Sequence, residues 1–241
     1  ILKALQHYGI IRYGATTKTF SLHRFFQHMI RESRKTQLEQ DLGQTVALLA
    51  NYAVAVDYHF KKSIEEDDLW YLHACEAIKW MDIYQMRFFQ TNKIHEALLH
   101  KRIAIWCDFN ERYQEGLEAC LRAIDLRKSI GEEETSELGI LYDGKGWLLF
   151  KLGHYAEALV ACYQAQKIQI NYLNQSPLDY ARTIQTISMI LSEQSDNNEA
   201  QRYANEVLKI GIKNLGASDV LRGNSLGQIV KHLSGLGQFK E

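Results

Sequence analysis

The feature that most constrains this 241-residue chain is a pattern that returns every 42 residues. Segments 111–120, 153–162 and 195–204 align on one frame, and a fourth opens at Gly237 and is cut off at Glu241. Glu115, Glu157, Glu199 and Glu241 share one column, and Gly116, Ala158 and Ala200 share the next. Tyr113, Tyr155 and Phe239 form an aromatic column, with Asn197 as the exception. A repeat of this length is one supersecondary unit that cannot bury its apolar face alone, so successive units must stack.

Amphipathic stretches flank each motif. Upstream lie 97–109, 138–151, 180–193 and 222–236; downstream, 155–171 spaces Leu159, Cys162 and Gln166 three to four residues apart. That spacing is helical. Each unit is therefore expected to be a pair of antiparallel helices, with turns near 110–112, 152–154 and 194–197. Gly153 and Ser195, two residues before the aromatic column, suit a helix end, where a left-handed residue is common. The small column is expected where two helices cross closely and a larger side chain would clash. A single proline, Pro177, argues against a turn-rich sandwich or barrel. The expected fold class is all-α.

As a set, these columns resemble tetratricopeptide repeats, in particular the 42-residue type of kinesin light chains. Gly146 and Ser188 fit that family's small position, and the loop 173–181 has a counterpart at 215–219, whereas Tyr142 and Lys145 depart from the pattern. The resemblance covers residues 97–241 and implies a right-handed α-solenoid, with a concave face lined by each unit's first helix. It also implies a protein or peptide ligand. The family's groove positions fall on Lys101, Arg102, Ile105 and Asp108, then on Asp143, Trp147, Phe150 and Lys151, then on Gln185, Thr186, Met189 and Ser192. Asp143-Gly144 and Gln185-Thr186 stand where that type often pairs asparagines to clamp a peptide backbone. Trp147 and Phe150 either line the groove or pack against the adjacent unit.

Residues 1–36 do not follow the repeat. Gly9–Tyr13 and Thr19–Leu22 read as short strands around a turn, and 23–35 reads as a helix with Phe26, Met29 and Ile30 on one face. A hairpin between helices suggests the end of a winged-helix module. The run 20–33 resembles the end of that domain in bacterial signalling ATPases of the STAND class. There an NB-ARC nucleotide-binding module comes before it and tetratricopeptide repeats often follow. The family's Met-His-Asp motif appears as Leu22-His23-Arg24, so the resemblance implies that His23 senses the ADP phosphate in a longer parent. Arg24 departs from the motif. Residues 37–96 are expected to be a helical connector into the repeats, and the start at Ile1 suggests a piece of a longer chain. No phosphate loop of the G-x-x-x-x-G-K-[ST] kind occurs, so this stretch itself is expected to need no cofactor; ADP or ATP would belong to the suspected upstream module of the same chain.

The remaining patterns narrow the function classes. A formal net charge of −1 gives no global attraction to nucleic acid or to an anionic membrane. Cys75, Cys107, Cys120 and Cys162 form no C-x-x-C pair and read as small buried residues of a reducing, cytoplasmic compartment. The longest mostly apolar run, 45–56, is too short to span a bilayer. His95 and His100 are one residue too far apart for a shared metal on one helix face, and no local motif proposes a nucleophile and base, so neither metal nor catalysis is expected. Three readings follow: the sensor arm of a STAND-type ATPase, a free-standing scaffold or adaptor, or a DNA-linked winged-helix regulator.

Overall fold

The computed structural model describes residues 11–14, 19–22, 38–52, 64–83 and 90–214. Its helices are α1 (Leu38–Tyr52), α2 (Ile64–Ile83), α3 (Gln90–Phe109), α4 (Tyr113–Ser129), α5 (Ser136–Lys151), α6 (Tyr155–Gln169), α7 (Pro177–Glu193) and α8 (Asn197–Asn214), with a 3-10 turn at Ile170–Tyr172. Between residues 90 and 214 every element is helical. The helices pair as α3–α4, α5–α6 and α7–α8, and each pair packs on the next through α4 against α5 and α6 against α7. The fourth motif and the stretch 222–236 lie outside the described residues.

All three within-pair turns have the same construction. Glu111, Gly153 and Ser195, spaced by the repeat, hold φ of 59°, 81° and 64°. The next N–H in each turn donates back to the helix it follows: Arg112 to Cys107 O at 2.8 Å, His154 to Leu149 O at 2.9 Å, and Asp196 to Leu191 O at 2.9 Å. This is the Schellman closure, in which one left-handed residue lets the last carbonyls of a helix find donors. The turns occupy the positions the sequence predicts. The first helices of the pairs start upstream of the predicted positions, because periodicity marks the packed face while caps mark the ends. Helix α6 starts at Tyr155, as predicted. Thr135 accepts from Leu138 N–H at 3.3 Å ahead of α5, and Pro177 opens α7.

Each helical pair is closed by a crossing of small residues. On the first helix these are Ala104, Gly146 and Ser188; on the second, Gly116, Ala158 and Ala200. Ala158 and Ala200 are wholly buried, at 0% exposure. A Cβ on Gly116 would meet Leu148 Cδ2 at 3.2 Å and Ala104 O at 3.3 Å. One on Gly146 would overlap Cys162 Sγ and press on Ala158 O at 3.3 Å. Ser188 uses the same closeness differently, donating its hydroxyl to Ala200 O at 2.7 Å. Around these crossings Leu99, Leu138, Ile184, Ile187 and Ile190 fill the core. The four cysteines are free thiols, three of them buried, and burial pushes Cys107 up to about 11 and Cys120 up to about 12.

At the front, Ile11–Gly14 pairs antiparallel with Thr19–Leu22, Ile11 opposite Leu22 and Gly14 opposite Thr19. Residues 9 and 10 of the expected first strand lie outside the described residues. The flanking helices of the winged-helix reading, and His23, lie outside the described residues, so this pairing does not by itself identify that module. The stretch read as a connector contains α1 and α2.

Two pairs of substitutions test these features. Ser195→Gly should raise stability by about 0.5–1 kcal/mol, and Gly153→Ala should lower it by about 1 kcal/mol, read as shifts of the urea midpoint. Ala158→Leu and Gly146→Ala should each cost about 1–3 kcal/mol by overpacking. Unchanged midpoints for the second pair would mean that the crossings are not closely packed.

Candidate functional site

The twelve positions that the resemblance assigns to a groove lie on α3, α5 and α7, the first helix of each pair. These three helices are tied to one another by polar side chains. Lys101 Nζ on α3 contacts Glu137 Oε2 on α5 at 2.9 Å. Trp147 Nε1 on α5 donates to Asp108 Oδ1 on α3 at 2.8 Å. Arg182 Nε on α7 donates to Asp143 Oδ2 on α5 at 2.6 Å, and its other end lies 3.5 Å from Asp179. The face is therefore a ladder of cross-helix pairs, two of them ion pairs and one an indole N–H on a carboxylate.

The electrostatics follow from that arrangement. Burial pushes the Asp108 carboxyl above its ordinary range, against the pull of the Trp147 N–H and Lys151. Burial also raises Asp179, opposed by Arg182. For Glu137 burial acts in the same direction, but Lys101, Arg127 and Arg102 together outweigh it and hold the carboxyl low. Burial lowers Arg102, and Glu137 counters it. Lys151 Nζ sits 5.1 Å from the Tyr113 ring and 5.4 Å from Trp147, a cation shared between two aromatic faces.

Two of the twelve positions do not present a side chain to a ligand. Asp143 is only 3% exposed, because the next first helix delivers Arg182 onto it. Thr186 is also 3% exposed and donates its hydroxyl to Arg182 O at 3.2 Å, one turn back on its own helix. Both belong to the interior of the ladder, which corrects their assignment to an open groove. Lys101, Arg102, Ile105, Asp108, Trp147, Phe150, Gln185, Met189 and Ser192 are half-buried, and Lys151 is exposed. Trp147 and Phe150 combine the two expected roles: Phe150 packs on the core, its ring 5.7 Å from Trp147 and 5.9 Å from Tyr155, while Trp147 bridges two helices at the surface of the ladder.

The sequence reading missed several participants. Glu137 and Asp179 stand 42 residues apart, a column that the frame itself contains. Arg182 has no such signal, since Ile140 occupies the equivalent position one unit earlier. The frame also extends further upstream than the sequence reading took it. Tyr71 and Ala74 of α2 fall 42 residues before Tyr113 and Gly116, and Ala74 is wholly buried. Thus α2 occupies the place of a second helix in an additional, more divergent unit. Among the described residues no group of three metal-ligating side chains comes together, and no helix is long and apolar enough to cross a membrane.

No family model matches the chain, and no curated protein matches it. Solved structures do match, 28 chains in all. One is the crystal structure of BtubC (BKLC) from P. vanneervenii, with a TM-score of 0.55 and 13% sequence identity. The match covers 72% of this chain and spans 65% of the length of that one. A likeness at that identity shows the fold. With the described helices, it makes this chain a tetratricopeptide-like α-solenoid, similar in architecture to a kinesin-light-chain-like protein.

Proposed function

We propose that this chain is a protein-binding repeat scaffold that holds a peptide segment against the faces of α3, α5 and α7 and performs no chemistry itself. The observation that carries this reading is the cross-helix ladder. Lys101–Glu137, Asp108–Trp147 and Asp143–Arg182 brace three adjacent helices, while Ile105, Gln185 and Met189 stay half-exposed between the braces. A braced face with accessible apolar and amide side chains is pre-organised, so a ligand would order little of it on binding. Paired charges also limit non-specific attraction, leaving shape and the few open side chains to select the partner.

A finer reading places this scaffold as the sensor arm of a STAND-type signalling ATPase. Its support is the Leu22-His23-Arg24 run after the strand Thr19–Leu22, with helical repeats following. In that setting the arm would respond to a protein or peptide and bias an upstream nucleotide-binding module. A parent carrying such a module should lose ADP more readily with His23→Ala, and equal ADP retention by both proteins would remove the nucleotide-sensing role.

The scaffold reading is tested by panning a random-peptide phage library on the purified chain and measuring the selected peptides by calorimetry. Ile105→Glu and Met189→Glu should each weaken binding about tenfold or more, since each buries a charge beneath the ligand, without lowering the melting temperature. Selected peptides that bind both variants as well as the parent chain would place recognition away from this face.

A further inference from the structure

A second feature of the molecule lies off the ladder, between α2 and the α3–α4 pair. In the later units the second helix lies along the next first helix, as α4 does on α5 and α6 on α7. Helix α2 packs on α3 less extensively than that. Where they meet, Tyr71 stacks on Trp106 with ring centroids 3.7 Å apart and planes within 9°. Arg112 covers both rings, at 5.0 and 5.4 Å from their centroids, and binds Glu115 through Nε at 2.7 Å. Tyr71 and Glu115 of this block also line the space between α2, α3 and α4. That space is an open cleft of about 480 Å³.

The floor and rim of the cleft differ in chemistry. Ile78 of α2, Ile103 of α3 and Ala119 of α4 supply an apolar floor. His100 lies among them, only 7% exposed, with both ring nitrogens buried and without a hydrogen-bond partner among the described residues. Burial, together with the nearby Arg122, holds its pKa down to about 4. The ring is therefore neutral near pH 7 and has one N–H to donate and one nitrogen to accept. A buried polar ring with no partner is costly, so a ligand that brings it a donor or an acceptor gains by doing so.

On the rim stand Asp82 and Glu118, both exposed, with no cation within salt-bridge distance among the described residues. Glu115 is already committed to Arg112, and Lys79 is drawn toward Glu76 at 3.8 Å. The free rim charge is thus negative. An open, acid-rimmed cleft with an apolar floor does not enclose a small molecule, and it repels an anionic surface. It fits an extended chain carrying its own backbone donors and acceptors.

We propose that this cleft is a second recognition site, separate from the α3–α5–α7 face, that takes an extended peptide with an apolar side chain next to a basic one. The apolar side chain rests on Ile78, Ile103 and Ala119. The basic neighbour meets Asp82 and Glu118. The imidazole of His100 turns to pair with the peptide backbone, giving its nitrogens the partners they lack.

The test uses two fluorescein-labelled hexapeptides, Gly-Leu-Lys-Leu-Arg-Gly and Gly-Leu-Glu-Leu-Asp-Gly, and fluorescence anisotropy with the whole chain. The basic peptide should bind and the acidic one should not. Reversing both rim charges, Asp82→Lys with Glu118→Lys, should weaken the basic peptide about tenfold and leave the melting temperature unchanged, as expected for exposed positions. His100→Phe, which keeps an aromatic ring without nitrogens, should weaken it several-fold without loss of stability. Met189→Glu, on the other face, should leave it unaffected. Equal binding of the two peptides, no binding of the basic one, or full binding to the charge-reversed protein would overturn the proposal. If Met189→Glu alone abolished binding, the peptide would lie on the ladder face, and that reading would stand while this one fell.

Discussion

The close crossing of two helices at a pair of small residues is the constraint on which the rest of this molecule depends. It occurs at Ala104 with Gly116, at Gly146 with Ala158, and at Ser188 with Ala200. Where side chains are this small, backbones set the separation, and the tilt of each first helix against its second is fixed within narrow limits. That tilt in turn decides where α3, α5 and α7 present their outer faces. The ion pairs and the Trp147–Asp108 hydrogen bond span from one unit to the next only because each pair is locked in this way. A methyl group added at the crossing would move charged groups several residues distant.

The ladder on the first helices has a character that neighbouring columns alone do not disclose. Two of its rungs are ion pairs that join neighbouring units, and one member, Asp143, is nearly inaccessible. A buried carboxylate tied to a guanidinium adds little net stability against hydrophobic alternatives, but it disfavours any stacking offset that would leave the charge unpaired. The ladder is better understood as a device that sets register between units than as a store of binding energy. Under the proposed function, the half-exposed side chains between its rungs are the ones left to distinguish partners.

Much of this architecture was legible in the sequence, for a definite reason. The columns at 111, 113, 115 and 116 recur because every unit solves the same packing problem with the same turn, and a repeated solution shows itself without any structure. Contacts between units are less legible. Arg182 reaches Asp143 from a position that carries isoleucine one unit earlier, so no column marks it. Asp143 and Thr186 read as groove residues because register gives the helix face but not what the next helix lays over it. The divergent unit at α2 was hidden for a related reason: it keeps Tyr71 and Ala74 but has His73 where the later units have glutamate. The cleft lies against that divergent unit, so a search for repeat columns passes over it.

Helix α5 has a consequence of its own. Three of its 16 residues, Gly139, Gly144 and Gly146, are glycine. Each weakens a helix by roughly 1 kcal/mol relative to alanine, and a helix this short is marginal in water even with favourable residues. Yet α5 carries Trp147, Phe150 and Lys151, three of the ten positions left on the face proposed for recognition once Asp143 and Thr186 are set aside as interior. Its order is lent by the helices around it, so the face belongs to the stack and not to any one hairpin. Folding and recognition then share one equilibrium: a ligand held by α5 would tighten hairpins it never touches, and loosening a distant hairpin would lower the affinity measured at the centre.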